Sequence, residues 1–140
     1  MYRQTCVAEV VEVSVAPNGR VSVERVWCAV DAGHVVHPSG ARNQVEGAVQ
    51  MGASWTLLEE LPHRGDEVTG LTWDDYPIAT CHDAPRAIDV VFTGDDTMPS
   101  LGLGEPPAVP MAPAIANAIF DACGTRVRAL PIRPEVVVRS

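Results

Sequence analysis

From Thr5 to Val15, valines at Val7, Val11, Val13 and Val15 are interrupted by Glu9, Glu12 and Ser14, the two-residue alternation of a half-buried strand. Pro17-Asn18-Gly19 then turns the chain, and a second alternating run from Val21 to Val30 completes a hairpin. The apolar positions change face between Val23 and Val26, which predicts a bulge near Glu24 and Arg25. The stretch from Asp31 to Gly40 reads as a loop. From Ser39 to Glu60 the period changes: Val45, Ala48, Val49, Gly52 and Trp55 follow helical spacing, with Ser39 as the N-cap and Pro62 as the stop. Gly47 and Gly52 each cost about 1 kcal/mol relative to alanine in such a helix. Together with Ala48, Ala53 and Ser54 they imply a close approach to this helix, by the sheet or by a ligand.

Glu67 to Thr80 reads as an irregular strand around Leu71-Thr72-Trp73, and Ile88 to Phe92 as a buried strand. Five prolines between Pro99 and Pro113 exclude helix and regular strand there. A second helix follows, with Pro113 in its first turn, Ile115, Ala118, Ile119 and Ala122 on one face, and Gly124 as its C-terminal stop. Arg126 to Ile132 reads as a last strand. The order implies an α+β two-layer sandwich, a mixed sheet carrying two main helices on one face, as a single domain over residues 1–140.

Composition agrees with one globular domain: 140 residues, 46% hydrophobic and 20% charged. A chain of this length buries roughly two-thirds of its unfolded surface, enough to fold without disulfides or a structural metal. Its formal charge is −8, and all ten basic residues are arginine. That field opposes a nucleic-acid partner and leaves a small-molecule substrate open. The four cysteines, Cys6, Cys28, Cys81 and Cys123, form no CxxC pair, so no zinc ribbon or iron–sulfur motif is present, and buried free thiols are expected. No run approaches the roughly 20 apolar residues of a membrane span. Met1-Tyr2-Arg3-Gln4 leads into the first strand pattern rather than a signal peptide, so a cytoplasmic location is expected.

Chemistry concentrates in Leu101-Gly102-Leu103-Gly104-Glu105-Pro106-Pro107, where one carboxylate stands among glycines and prolines with no arginine within five residues on either side. The glycines admit close approach by a ligand, the prolines fix the direction of Glu105, and an apolar setting would make the carboxylate a stronger base. A solvent-exposed loop glutamate is the alternative. His34 and His37 form an HxxH pair, but in a loop without a suitably spaced carboxylate, so no metal ligands are expected. Gly52-Ala53-Ser54 lacks the GxSxG elbow of a hydrolase.

Gly104-Glu105-Pro106-Pro107, then Ala112 through Ile119, then Arg126 through Ile132, closely resemble the end of the molybdenum-cofactor subunit in the xanthine dehydrogenase and aldehyde oxidase family, most like the bacterial isoquinoline oxidoreductase and aldehyde dehydrogenase members. Upstream, Asp31-Ala32-Gly33, His37-Pro38 and Arg42 through Ala48 resemble that family's glutamine-bearing helix start, and Asp75-Tyr76-Pro77-Ile78 fits as well. The resemblance covers residues 4 to about 134. It implies a molybdenum hydroxylase that inserts a water-derived oxygen into a carbon of an N-heterocycle or aldehyde. Glu105 matches the family's catalytic base. Gln44 matches a pterin-contacting glutamine one turn before Gly47, and Gly47 and Gly104 join it as cofactor contacts. The implied cofactor is molybdenum-molybdopterin in its cytosine dinucleotide form, with the metal held by the pterin dithiolene and no protein metal ligand. Iron–sulfur and FAD or haem centres are implied only on partner subunits.

The family's cofactor subunits are several times longer, and their earlier segments close the site. The implied partners are therefore the remaining molybdopterin-binding segment and an iron–sulfur electron-transfer subunit, with the isolated chain inactive. A natural split subunit, an excised domain and a truncated remnant are all compatible with this length, and a non-catalytic interaction module of the same fold is the alternative function.

Overall fold

A computed structural model of the chain describes residues 5–138, so the reading of Met1 to Gln4 lies outside the described residues. The strand β1 (Cys6–Val15) pairs antiparallel with β2 (Val21–Asp31). Their register runs Glu12 opposite Arg25 and then Val13 opposite Val23, so Glu24 is the extra residue of the predicted bulge. The chain crosses over through helix α1 (Pro38–Leu57), and β5 (Ala87–Phe92) returns parallel to β2, giving the sheet order β1-β2-β5. Between α1 and β5 lies a minimal hairpin of β3 (His63–Arg64) and β4 (Glu67–Val68). Helix α2 (Met111–Cys123) ends at Gly124, whose φ of 77° is the left-handed cap that favours glycine. A short helix α3 (Pro134–Val137) ends the described chain. The expected α+β sandwich, a small mixed sheet with two main helices, is the observed one.

One face of the sheet carries the core. Val11, Val26, Val30 and Val90 point inward from the three strands, and α2 meets them with Met111, Ile115 and Ile119, spaced four apart and all fully buried. Each such side chain contributes roughly 1.5–3 kcal/mol by leaving water. Val45, Val49 and Ala53 bring α1 into the same core.

Four expectations are corrected. Leu71-Thr72-Trp73 is not a strand: the Asp75 carboxylate accepts hydrogen bonds from the backbone of Leu71 (3.1 Å) and Thr72 (3.0 Å) and from the Thr72 hydroxyl (2.8 Å), drawing the donors a strand would need into a 3-10 turn at Trp73–Asp75. These bonds hold the Asp75 carboxyl below its usual range. Arg126 to Ile132 is likewise irregular: the Ile132 amide donates to the Thr56 carbonyl of α1 at 2.7 Å, tying the segment to a helix rather than to a strand edge. The N-cap of α1 is His37, not Ser39: its Nδ1 accepts from the Gly40 amide at 2.9 Å, with Pro38 in the first turn. Of the cysteines, Cys28 is buried and the other three are exposed.

Glu9 shares the inward face of β1 with Val7 and Val11 and stands opposite Cys28 in the β1–β2 register. Both of its carboxyl oxygens are buried without a well-formed hydrogen bond, and the Cys28 thiol offsets this only in part. Burial pushes the Glu9 carboxyl from 4.5 up to about 7, and burial together with the Glu9 charge pushes the Cys28 thiol up to about 12. The sign for stability follows by linkage. A carboxyl whose pKa is raised on folding contributes stability fully present below about 4.5 and lost as pH rises through about 7. Asp75 and Asp83, held below 3.8, act oppositely but only at more acidic pH. Urea denaturation is therefore expected to give a lower midpoint at pH 8 than at pH 5, and Glu9→Gln is expected to flatten that difference. A parent midpoint that rises from pH 5 to pH 8 would contradict the assignment.

Candidate functional site

The site is assembled where the proline-rich loop crosses the first turns of α1. The Asp31-Ala32-Gly33 segment leaving β2 anchors the loop. The Ala32 carbonyl accepts from the Leu101 amide (2.9 Å), the His34 amide donates to the Met98 carbonyl (3.2 Å), and the Ser100 hydroxyl donates to the His34 carbonyl (2.7 Å). Gly33 adopts φ 66°, and a Cβ there would lie 2.2 Å from the Pro99 carbonyl oxygen, so both backbone angle and contact require glycine. Thr5 donates its hydroxyl to the Gly102 carbonyl, fastening the next stretch to the start of β1. A single 3-10 turn at Pro106–Ala108, with Pro107 buried and the Ala108 amide donating to the Glu105 carbonyl at 2.9 Å, completes the support of Glu105.

Gln44 projects from α1 beside this loop. Its Oε1 lies 3.8 Å from where a Cβ on Gly104 would stand, so Gln44, Gly104 and Glu105 form one cluster. Gly47 follows one turn later on α1, and a Cβ there would meet nothing within 4 Å. Gly52 differs. A Cβ on it would lie 2.7 Å from the Met111 Cβ and 3.0 Å from the Ala108 carbonyl oxygen, so this glycine is required by packing against α2 and the Pro106–Ala108 turn. Among the described residues, the close approach inferred for this helix is found at Gly52 and not at Gly47.

Glu105 lines two cavities. One, about 470 Å3, is walled by Met51 and Trp55 of α1 together with Val109 and Leu130. The other, about 640 Å3, opens toward Thr5, Val7 and Gly102. Neither is lined by an arginine among the described residues. Glu105 itself is exposed, so this chain alone does not dehydrate it. Trp55, read from the sequence as part of the inward stripe, is 45% exposed and walls the cavity instead. Its spacing of four from Met51 and eleven from Gln44 is the signal that could have assigned it to the site's face.

His34 and His37 do not converge. His37 caps α1, His34 lies 3.5 Å from Asp96, and no group of three metal-ligating side chains occurs among the described residues. No helix of the described residues is long and apolar enough to cross a membrane.

Residues 1–85 match the family described as the molybdopterin cofactor-binding domain. The chain belongs to the xanthine dehydrogenase and aldehyde oxidase family of molybdenum-binding subunits. It is 44% identical over 120 residues to a nicotinate dehydrogenase subunit of Pseudomonas putida, covering 86% of this chain and 10% of that one. It is 33% identical to the β-subunit of isoquinoline 1-oxidoreductase from Brevundimonas diminuta, covering 83% of this chain and 15% of the relative. The fold superposes on the aldehyde oxidoreductase of Desulfovibrio desulfuricans with a TM-score of 0.82 at 29% identity, over 96% of this chain and 15% of that structure. The chain thus spans 10–15% of the length of these family members. Gln44 and Gly47 fall inside the matched cofactor-binding domain, and Gly104 and Glu105 beyond it.

The bare backbone at Gly47 and the open space over it leave room for a group to lie against α1 there. The two helix glycines therefore separate by experiment. Gly47→Ala is expected to stabilise the chain by about 0.5–1 kcal/mol, because it removes backbone freedom and meets no neighbour. Gly52→Ala is expected to destabilise it by about 1–3 kcal/mol through the clash with Met111 and Ala108. Urea midpoints of the two variants check this. A loss at Gly47 matching that at Gly52 would mean that Gly47 too is packed within the chain.

Proposed function

We propose that this chain supplies the base and part of the cofactor cradle of a cytoplasmic molybdenum hydroxylase, which inserts a water-derived oxygen into a carbon of an N-heterocycle or an aldehyde. The observation that carries the reading is the juxtaposition of Gln44, Gly104 and Glu105 beside an uncovered Gly47. A molybdenum-molybdopterin group, in its cytosine dinucleotide form, would supply the oxygen transfer and the two-electron redox chemistry. Gln44 would donate to and accept from the pterin ring through its amide, while Gly47 and Gly104 leave the backbone open for close approach. Glu105, in cavities with no competing cation among the described residues, would take the proton released as oxygen is transferred. Its exposure supports a division of labour in which the remaining molybdopterin-binding segment excludes water and completes the substrate pocket. Electrons would then leave through an iron–sulfur partner subunit and on to FAD or haem.

Two measurements test this. The chain purified alone is expected to hold no stoichiometric molybdenum, because one cradle wall offers few of the hydrogen bonds that retain a large anionic group. Metal analysis giving near-equal molar molybdenum would overturn the need for a partner segment. In the assembled enzyme, Glu105→Gln is expected to keep molybdenum content and substrate affinity while turnover falls by about 10²–10⁴. Unchanged turnover would remove Glu105 from the chemistry and favour a non-catalytic module of this fold, whereas loss of molybdenum would reassign Glu105 to cofactor retention.

A further inference from the structure

On the side of α1 turned away from Gln44 lies a separate cavity of about 330 Å3, at the lower end of the size range of small-molecule sites. Its walls include the buried or half-buried apolar side chains of Val23, Ala53, Leu57 and Ile132. Its charged lining is Arg20, Arg86 and Arg133 against one carboxylate, Asp83. Among the residues that line the cavity, cations outnumber carboxylates three to one, although each arginine is also paired with a carboxylate, in a chain whose formal charge is −8. Three of the chain's ten arginines, drawn from the β1–β2 turn, the approach to β5 and the approach to α3, meet here.

Each guanidinium is steadied by one carboxylate. Arg20 Nη2 lies 3.2 Å from Asp83 Oδ1, Arg86 Nε lies 3.0 Å from Glu24 Oε2, and Arg133 pairs through Nη2 with Glu60. Glu24 is itself fixed, accepting the Ser14 hydroxyl at 2.6 Å on its other oxygen. In each pair the recorded contact uses a single guanidinium nitrogen, whereas a guanidinium has five N–H donors in a planar fork. Exposed pairs of this kind contribute little to folding. Their side chains remain 67%, 82% and 46% exposed, so further donors are available to a ligand.

We propose that this cavity binds a small organic oxyanion, an apolar body bearing one carboxylate or phosphoryl group. The body lies on the Ala53–Leu57–Ile132 wall, and the oxyanion accepts from the free donors of Arg86 and Arg133, with Arg20 adding its field. The anchoring carboxylates hold the guanidiniums in place beforehand, which lowers the ordering cost of binding. The site lies across α1 from the Gln44 and Glu105 cluster and does not depend on the molybdenum reading.

The test is isothermal titration of the 140-residue chain, at constant ionic strength, with phenyl phosphate, benzoate, inorganic phosphate and benzyl alcohol. Saturable one-to-one binding of phenyl phosphate or benzoate is expected, the tighter of the two identifying the headgroup, with benzyl alcohol weaker by about tenfold or more. Inorganic phosphate is expected to bind more weakly than phenyl phosphate, because it leaves the apolar wall unused. Arg86→Gln and Arg133→Gln should each weaken binding about tenfold with an unchanged circular dichroism spectrum, and Gln44→Ala should leave it unchanged. Arg86 is the more exposed, so its variant keeps the test valid should Arg133→Gln fail to fold. The proposal is overturned if neither aryl anion binds, if benzyl alcohol or inorganic phosphate binds as well as the aryl anions, or if both arginine variants bind like the parent.

Discussion

The contact of Gly52 with Met111 and Ala108 is the constraint on which the site depends. Without a side chain at Gly52, α1 approaches the start of α2 and the turn before it closely enough that any Cβ would collide. Met111 is fully buried at that crossing and leads the Met111, Ile115, Ile119 ridge into the sheet. The Pro106–Ala108 turn is thereby pressed against α1, and the Gly104-Glu105 step immediately before it is carried alongside the helix, with Gly104 beside Gln44. A larger residue at position 52 would push the two elements apart and move the Gly104-Glu105 step away from α1 even with both side chains intact.

The loop bearing Glu105 is held by hydrogen bonds to neighbouring segments and by packing rather than by a strand or helix of its own. Asp31 to His34 fasten its entry to the end of β2, Thr5 fastens Gly102 to β1, and α2 fastens its exit. Proline and glycine can neither complete a ladder nor propagate a helix, so the loop's position is inherited from the sheet and from α1. This accounts for the Asp31-Ala32-Gly33 motif, whose residues do not line the cavities around Glu105 and serve to aim it.

What is legible in the sequence is whatever repeats locally. Alternating valines mark the hairpin, the change of face at Glu24 marks the bulge, and the helical spacing of Ile115 and Ile119 with Gly124 behind them marks α2. The illegible parts depend on distant partners. Arg126 to Ile132 has strand composition, yet its Ile132 amide is taken by Thr56, more than seventy positions earlier. Leu71 to Trp73 has strand residues, yet Asp75 captures their donors. The same holds at the site. Motif resemblance singles out Gln44, Gly47, Gly104 and Glu105, and the structure draws Gln44, Gly104 and Glu105 together, but only coordinates could show that Gly52 is filled by α2 while Gly47 is left open. Trp55 is misplaced by the sequence pattern because helical spacing locates an apolar stripe without saying whether its edge meets the core or a cavity.

The two long sides of α1 show how one helix serves opposite demands. On the side of Ala53 and Ser54, loop segments are tied down: the Ala79 amide donates to the Ser54 hydroxyl at 2.9 Å, and the guanidiniums of the arginine-lined cavity are each matched by a carboxylate. On the side of Gln44, Gly47, Met51 and Trp55, side chains stay exposed or line open cavities. A helix that needed only to stabilise this fold would gain from alanine at position 47, where a Cβ meets nothing, and from a polar residue in place of exposed Trp55. Keeping glycine and tryptophan there leaves an uncovered, nearly uncharged wall beside the one carboxylate of the loop. The stability forgone on that face is what the proposed cofactor cradle would require, a bare backbone and an apolar wall beside Glu105.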